Sequence, residues 1–213
     1  VDKRVAIVEI LRGYIQTSKS IRFEGDGYSD DWLKEAKKRK LNHVKDTPRA
    51  LDAFLTKKTR DLFKKNKILS DLEIEARHEI MLENYIKMIQ IESRLIGDIS
   101  LNHIIPTAIS YQNRLIQNAI GLKEIGIDNK DILYTIKKIS DYIRNIKINT
   151  LAMTEERKRV NTISDIRDKA IAYCDDVKEK YFDKIRYSVD KLELYVDDED
   201  WPLVKYRELL FLR

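Results

Sequence analysis

Residues 132–146 read ILYTIKKISDYIRNI, with Ile132, Ile136, Ile139, Ile143 and Ile146 at successive spacings of 4, 3, 4 and 3. A seam of that period belongs to a helix packed along its length against other helices, because a lone helix would hold the stripe in water. Thr150, Met153 and Val160 carry it on. Two further stretches share the character. From Ser70 to Gly121 nothing stops a helix except Pro106, and Ser70-Asp71-Leu72-Glu73 opens it as a capping box. Inside a helix that proline removes one hydrogen bond and strikes the carbonyl of Asn102, so one long helix kinked at Pro106 is expected. Beyond Ser164, read as an N-cap, a third stripe runs through Ile166, Ala170, Tyr173, Val177, Tyr181, Ile185, Val189, Leu192 and Val196. Three long amphipathic helices joined by short turns should pack antiparallel as a coiled-coil-like bundle. Residues 126–131, GIDNKD, supply the first turn, with Asp128 as the next cap.

The stretch before Ser70 is different in kind. Val5, Val8, Leu11 and Ile15 predict a helix over 3–16, and Ser20-Ile21-Arg22-Phe23 reads as a strand or an extended exit. Ser29 is a suitable cap for a helix over about 30–40, with Asp30 and Asp31 complementing its dipole and Trp32, Leu33, Ala36 and Leu41 facing inward. Thr47-Pro48 reads the same way, Thr as cap and Pro at the first helical position. One helix or two follow to Asn66, with Leu51, Phe54, Leu55, Leu62 and Phe63 apolar. Six glycines and three prolines are too few for the turns of an all-β chain. The fold class is therefore all-α, a small helical N-terminal part followed by the bundle. Its parts are residues 1–28, short basic helices over 29–69, and the long helices over 70–213, closed by a short helix in WPLVKYRELLFLR.

Net charge is +5 and uneven: residues 1–70 hold 18 Lys/Arg against 10 Asp/Glu, the remainder 23 against 26. The basic excess in residues 34–40 and 57–67 could contact phosphates. No aromatic residues interleave with it in the manner of a strand-binding surface, and it reads as the solvated face of amphipathic helices. No apolar run is long enough to span a membrane, and no signal peptide is visible. The one cysteine, Cys174, makes no internal disulfide and fits a reducing cytoplasm. The chain starts at Val1 and not at Met, which suggests a piece of something longer.

Several stretches invite a chemical reading. FEGDGYSDDW (23–32) pairs two glycines with acid, but Gly25-Asp26-Gly27 is followed three residues on by Asp30, where a dinucleotide loop needs Gly. As a calcium loop starting at Asp26 it would place Tyr28, Asp31 and Lys37 at positions that need an acid, a Gly and a Glu. Two glycines at positive φ before a Ser-capped helix is the simpler account. Glu75-Ala76-Arg77-His78 is one E-x-x-H, the element di-iron bundles use in pairs. His43 and His103 follow Lys40 and Ser100, so no partner motif exists. Arg77 and Arg94 offer ion pairs for Glu75, Glu79, Glu83 and Asp98. Cys174 lies beside Ala170, Tyr173 and Val177 and before two aspartates, where a thiolate is disfavoured. Asp197, Asp198, Glu199 and Asp200 read as the negative start of the last helix. No catalytic, cofactor-binding or metal-ligating residue is assigned.

FEGDGYSDDWLKEAKKR, TPRALDAFLTKKTRDLF, LEIEARHEIMLENYIKMIQIESRLIGDISLNHIIPTAISYQN and YSVDKLELYVDDEDWPLVKYRELLF resemble, in collinear order, the C-terminal region of type III glutamine synthetases. The likeness is thinnest over about 122–168. The resemblance implies part of a ligase that makes glutamine from glutamate and ammonia with ATP at divalent Mg or Mn ions, in cytoplasmic rings of subunits. It places those ligands in a catalytic domain upstream, so this chain alone would be inactive and residues 1–28 would be that domain's tail. Partners would be the chain's own catalytic domain and neighbouring subunits, with neither nucleic acid nor membrane. The alternative is a free-standing helical interaction module, binding nucleic acid through its basic first third.

Overall fold

The computed structural model describes residues 2–211, among which there is no strand. The chain divides after Lys45 into two compact units.

The first unit opens with α1 (Lys3–Thr17), capped by Asp2, whose carboxylate accepts from the Arg4 N–H. No residue of α1 is buried. Val5, Val8, Leu11 and Ile15 are each at least half exposed, as are Ile10 and Tyr14. Residues 18–21 form a turn and 22–24 run without regular structure, so Ser20–Phe23 is an exit and not a strand. Ser29 caps α2 (Asp30–Lys38), accepting from the Trp32 N–H at 3.3 Å, with Asp30 and Asp31 in the first turn as read from the sequence. Ala36 is buried and Trp32 and Leu33 are half-buried, but Leu41 is exposed. The reason is local. Lys40 takes φ 57°, and the Leu41 N–H turns back to the Ala36 carbonyl at 2.9 Å, so Leu41 lies past the helix end. Arg39 fastens the exit by donating to the carbonyls of Ile21 and Arg22.

The second unit begins with α3 (Thr47–Leu51), a 3₁₀ turn (Asp52–Leu55) and α4 (Lys57–Lys65). Asp46, and not Thr47, caps α3: its carboxylate accepts from the Arg49 N–H at 2.9 Å and from the Arg49 guanidinium. A carboxylate is the stronger acceptor for a helix N-terminus, and shifting the cap back one residue still leaves Pro48 in the first turn, where no N–H is needed. Thr56 interrupts the segment and caps α4.

Three rods follow. The first is α5 (Asp71–Asp98), a π-helical turn (Ile99–Ile104) and α6 (Ile105–Glu124), in unbroken succession. The capping box at its start is complete: the Ser70 hydroxyl accepts from the Glu73 N–H, and Glu73 accepts from the Ser70 N–H at 2.7 Å. Pro106 is absorbed by the π turn, in which the Ile105 N–H donates five residues back to Ser100. That widening shifts the turn whose carbonyl the proline ring would otherwise strike, and a π turn is, like a proline, a disturbance of the regular helix. The first rod ends at Gly126, whose φ of 79° closes the helix with the Ile127 N–H on the Leu122 carbonyl. The second rod is α7 (Lys130–Asn161). Asn129 occupies its cap position without a side-chain bond to the helix N-terminus, while Asp128, one residue further out, accepts from the Lys130 N–H, so Asp128 is not the cap. The third joins α8 (Ile166–Ala172), a π segment (Tyr173–Phe182) and α9 (Asp183–Glu193). Its cap is Asp165, accepting from the Asp168 N–H at 2.8 Å, and not Ser164. As at Asp46, the carboxylate displaces the neighbouring hydroxyl residue.

Pairings across the rods fix their directions. Gln90 donates to Asn161, Gln112 to Ser140 and Asn129 to the Ala119 carbonyl, so the first and second rods run antiparallel. Arg159 pairs with Asp176 and Lys180 with Glu156, so the second and third do too. The seam lies where the heptad places it: Ile139, Ile146, Thr150, Met153 and Val160 are buried and Ile132, Ile136 and Ile143 half-buried. The third stripe is buried from Ala170 to Ile185 and again at Leu192 and Val196. The π segment explains how. Tyr173, Val177, Tyr181, Ile185 and Val189 are each four apart, and four residues overshoot an α-turn by about 40°, so four such steps would carry the stripe about 160° round the helix. The wider π turn takes up that overshoot. The last helix is shorter than its sequence suggested, α10 (Tyr206–Leu209). Leu212 and Arg213, the end of the expected helix, lie outside the described residues.

Candidate functional site

The loop at 23–32 is held by its own side chains. Asp26 accepts from the Tyr28 N–H at 2.9 Å, and its carbonyl takes the Ser29 hydroxyl at 2.7 Å. Neither glycine has positive φ; the expectation that both do is overturned. Gly25 instead lies under an aromatic ring. The Phe23 ring folds over it, leaving 2.7 Å to where a Cβ would stand, and that ring packs on Trp32 at 5.0 Å between centroids.

Glu75 and His78 also have structural neighbours. Glu75 accepts from Arg60 at 2.8 Å, reaching a helix outside its own, and Glu83 pairs with Lys87. The expected pairs from Arg77 and Arg94 do not form; Glu75, Glu83 and Asp98 are held instead by Arg60, Lys87 and Asn102. His78 is buried, with Nε2 3.7 Å from Asp52 and no hydrogen-bond partner. Among the described residues no three His, Cys, Asp or Glu gather within reach of one metal ion. Cys174 is buried beside Tyr85, and burial pushes its thiol up, away from the reactive thiolate. The acidic run at 197–200 ends well before α10. Asp198 pairs with Lys205 and Asp200 with Arg114, so it ties the C-terminal segment down and does not serve a helix dipole.

One polar feature is announced by no local spacing. Arg49 donates through both terminal nitrogens to Asp175, at 3.1 and 2.7 Å, and Arg167 reaches both oxygens of Asp52, at 2.8 and 2.7 Å. The guanidinium forks hold both carboxyls below their ordinary range. They fasten residues 46–55 to α8 and to the π segment that follows it, against the start of the first rod where Ile74, His78 and Leu82 are buried. These partners stand more than a hundred residues apart in sequence, so periodicity carries no sign of them.

A family model described as "Glutamine synthetase C-terminal domain" matches residues 6–123, more than half of the chain. The chain belongs to that family. The match runs from α1 through α6. A glutamine synthetase of Bacteroides fragilis (strain YCH46) is 41% identical over 222 aligned residues, which take in 100% of this chain and 30% of the relative. A type-3 glutamine synthetase of Dictyostelium discoideum is 27% identical over 217 residues, again 100% of this chain and 30% of the relative. A glutamine synthetase of Butyrivibrio fibrisolvens is 25% identical, over 96% of this chain and 29% of its own length. The chain thus spans about three-tenths of the curated relatives it matches. No helix among the described residues is long and apolar enough to cross a membrane.

Proposed function

We propose that this chain is the helical C-terminal domain of a type III glutamine synthetase, an ATP-dependent glutamate–ammonia ligase, and that it serves the subunit structurally and helps its oligomer assemble. The observation that carries the reading is coverage: the whole chain aligns to a fixed share of enzymes several times its weight of sequence, in two relatives of quite different identity. The donor set agrees with a domain that leaves the chemistry elsewhere. ATP and divalent Mg or Mn would need clustered carboxylates and a phosphate cradle; among the described residues no three His, Cys, Asp or Glu gather within reach of one ion, and the Gly25–Gly27 loop is closed by Asp26 and Phe23. The residues here do not fit those groups. The exposed apolar face of α1 supports residues 1–28 as the tail of the catalytic domain, with Val5, Val8, Leu11 and Ile15 as the contact.

The test compares the full-length enzyme with a form lacking residues 29–213, by sedimentation and by ATP-dependent glutamine formation. Loss of assembly or of melting stability in the shortened form is expected. An unaltered oligomer with an unaltered midpoint would overturn the structural role, and ATP-dependent glutamine formation by this chain alone would overturn the division of labour.

A further inference from the structure

Six of the ten arginines of the second unit whose side chains are described each hold at least one carboxylate: Arg49, Arg60, Arg114, Arg159, Arg167 and Arg186. Arg94 and Arg157 hold none. They stand on facing helices, α5 and α7, and line one pocket of about 200 Å³ with Ser93, Thr154, Asn102 and Asp98. Gly97 opens the space between the helices there. A half-buried guanidinium such as Arg157 without a counter-charge carries a desolvation cost that a partner would offset. The donors left over suit one chemistry. Each guanidinium offers a planar fork of N–H groups, and Asn102, which spends one amide hydrogen on Asp98 at 2.5 Å, keeps a second. The hydroxyls of Ser93 and Thr154 donate to backbone carbonyls at 3.0 and 2.9 Å and wall the pocket without adding negative charge. The one carboxylate present, Asp98, is engaged by Asn102 and lies beyond ion-pair distance of both arginines.

We propose that this pocket binds a small oxyanion, inorganic phosphate or the carboxylate of a short metabolite, between the forks of Arg94 and Arg157. A space of about 200 Å³ is on the scale of a small anion, below the roughly 300 Å³ at which pockets for drug-sized ligands begin. The site lies in the bundle itself and does not depend on the assignment of the missing part of the enzyme.

The experiment is calorimetric titration of the full chain with sodium phosphate and, separately, with sodium succinate, in a chloride background. One saturable site is expected with at least one of the two, and which of them saturates names the source. R94Q and R157Q should each weaken it by about tenfold or more, the loss expected on removing one charge-assisted fork. R157K should fall between, D98N should tighten binding, and R144Q, which removes an exposed arginine elsewhere on α7, should change nothing. If R157Q lowers the anion-free melting midpoint, the exposed Arg94 variant decides. No saturable binding of either anion up to about 10 mM, a range that would detect even interactions near 4 kcal/mol, overturns the proposal. An equal loss in R144Q overturns it as well, because the binding is then diffuse charge.

Discussion

Replacing Ile139 by Asp tests the heptad seam at its centre. Ile139 is 0% exposed in the core shared by the three rods. Burying such a side chain is worth about 1.5–3 kcal/mol, and truncating it in place costs about 2–5 kcal/mol once the cavity is counted. The carboxylate adds an uncompensated charge or, if it protonates, an unsatisfied hydroxyl, so a loss of about 3–5 kcal/mol is expected. For a chain of this size each kcal/mol moves the melting midpoint by about 2–4 °C, which gives a fall of about 6–20 °C. The comparison is Ile148→Asp, nine residues on in the same helix but 58% exposed, where only helix propensity is lost and about 0.5 kcal/mol is expected. Thermal and urea melts of the two variants, monitored by helical circular dichroism, settle the matter. Equal midpoints would mean that the seam is out of register and that the burial reasoning fails.

Lys67→Gly should stabilise the chain by about 0.5–1 kcal/mol, because Lys67 sits at φ 54° closing α4, a conformation that penalises a Cβ. Lys67→Ala should bring no such gain in the same melt. Ser70→Ala should cost about 1 kcal/mol by removing half of the capping box. Asp52→Asn addresses pH. Arg167 holds the Asp52 carboxyl below its ordinary 3.8, so the folded chain keeps it ionised where the unfolded chain takes up a proton. Its contribution is full above about pH 4 and is lost as pH falls through the depressed folded value. The variant should therefore be less stable at neutral pH and show a shallower acid limb in melts taken from about pH 5 downwards; an unchanged limb would mean that the pair does not couple to folding.

How far the sequence foretold this fold depended on the range of the interaction. The rods were legible because Ile139, Ile146, Val177 and Ile185 repeat within a few turns of one another. The caps were legible to within one residue. Thr47 and Ser164 each stand beside an aspartate, and spacing alone does not rank a hydroxyl against a carboxylate. Pro106 announced a disturbance without saying that a π turn would absorb it. The Asp52–Arg167 and Arg49–Asp175 pairs and the Arg94–Arg157 pocket were hidden, since each needs the rods already packed before its members meet.

The π segment of the third rod has a bearing on chain length. From Ile166 to Leu192 the inward-facing positions take seven steps over twenty-six residues, and at 3.6 residues per turn that leaves about 80° unaccounted for, close to one residue's worth of rotation. The rod therefore holds one amino acid more than a straight α-helix between the same contacts. Deleting an exposed residue within it, such as Glu179, would shorten the step from Val177 to Tyr181 to three and bring the mean step close to the 3.6 residues of an α-turn. A homologue one residue shorter at this point could then keep every inward-facing side chain after it, whereas a deletion in the regular turns of α7 would rotate everything beyond it out of the core.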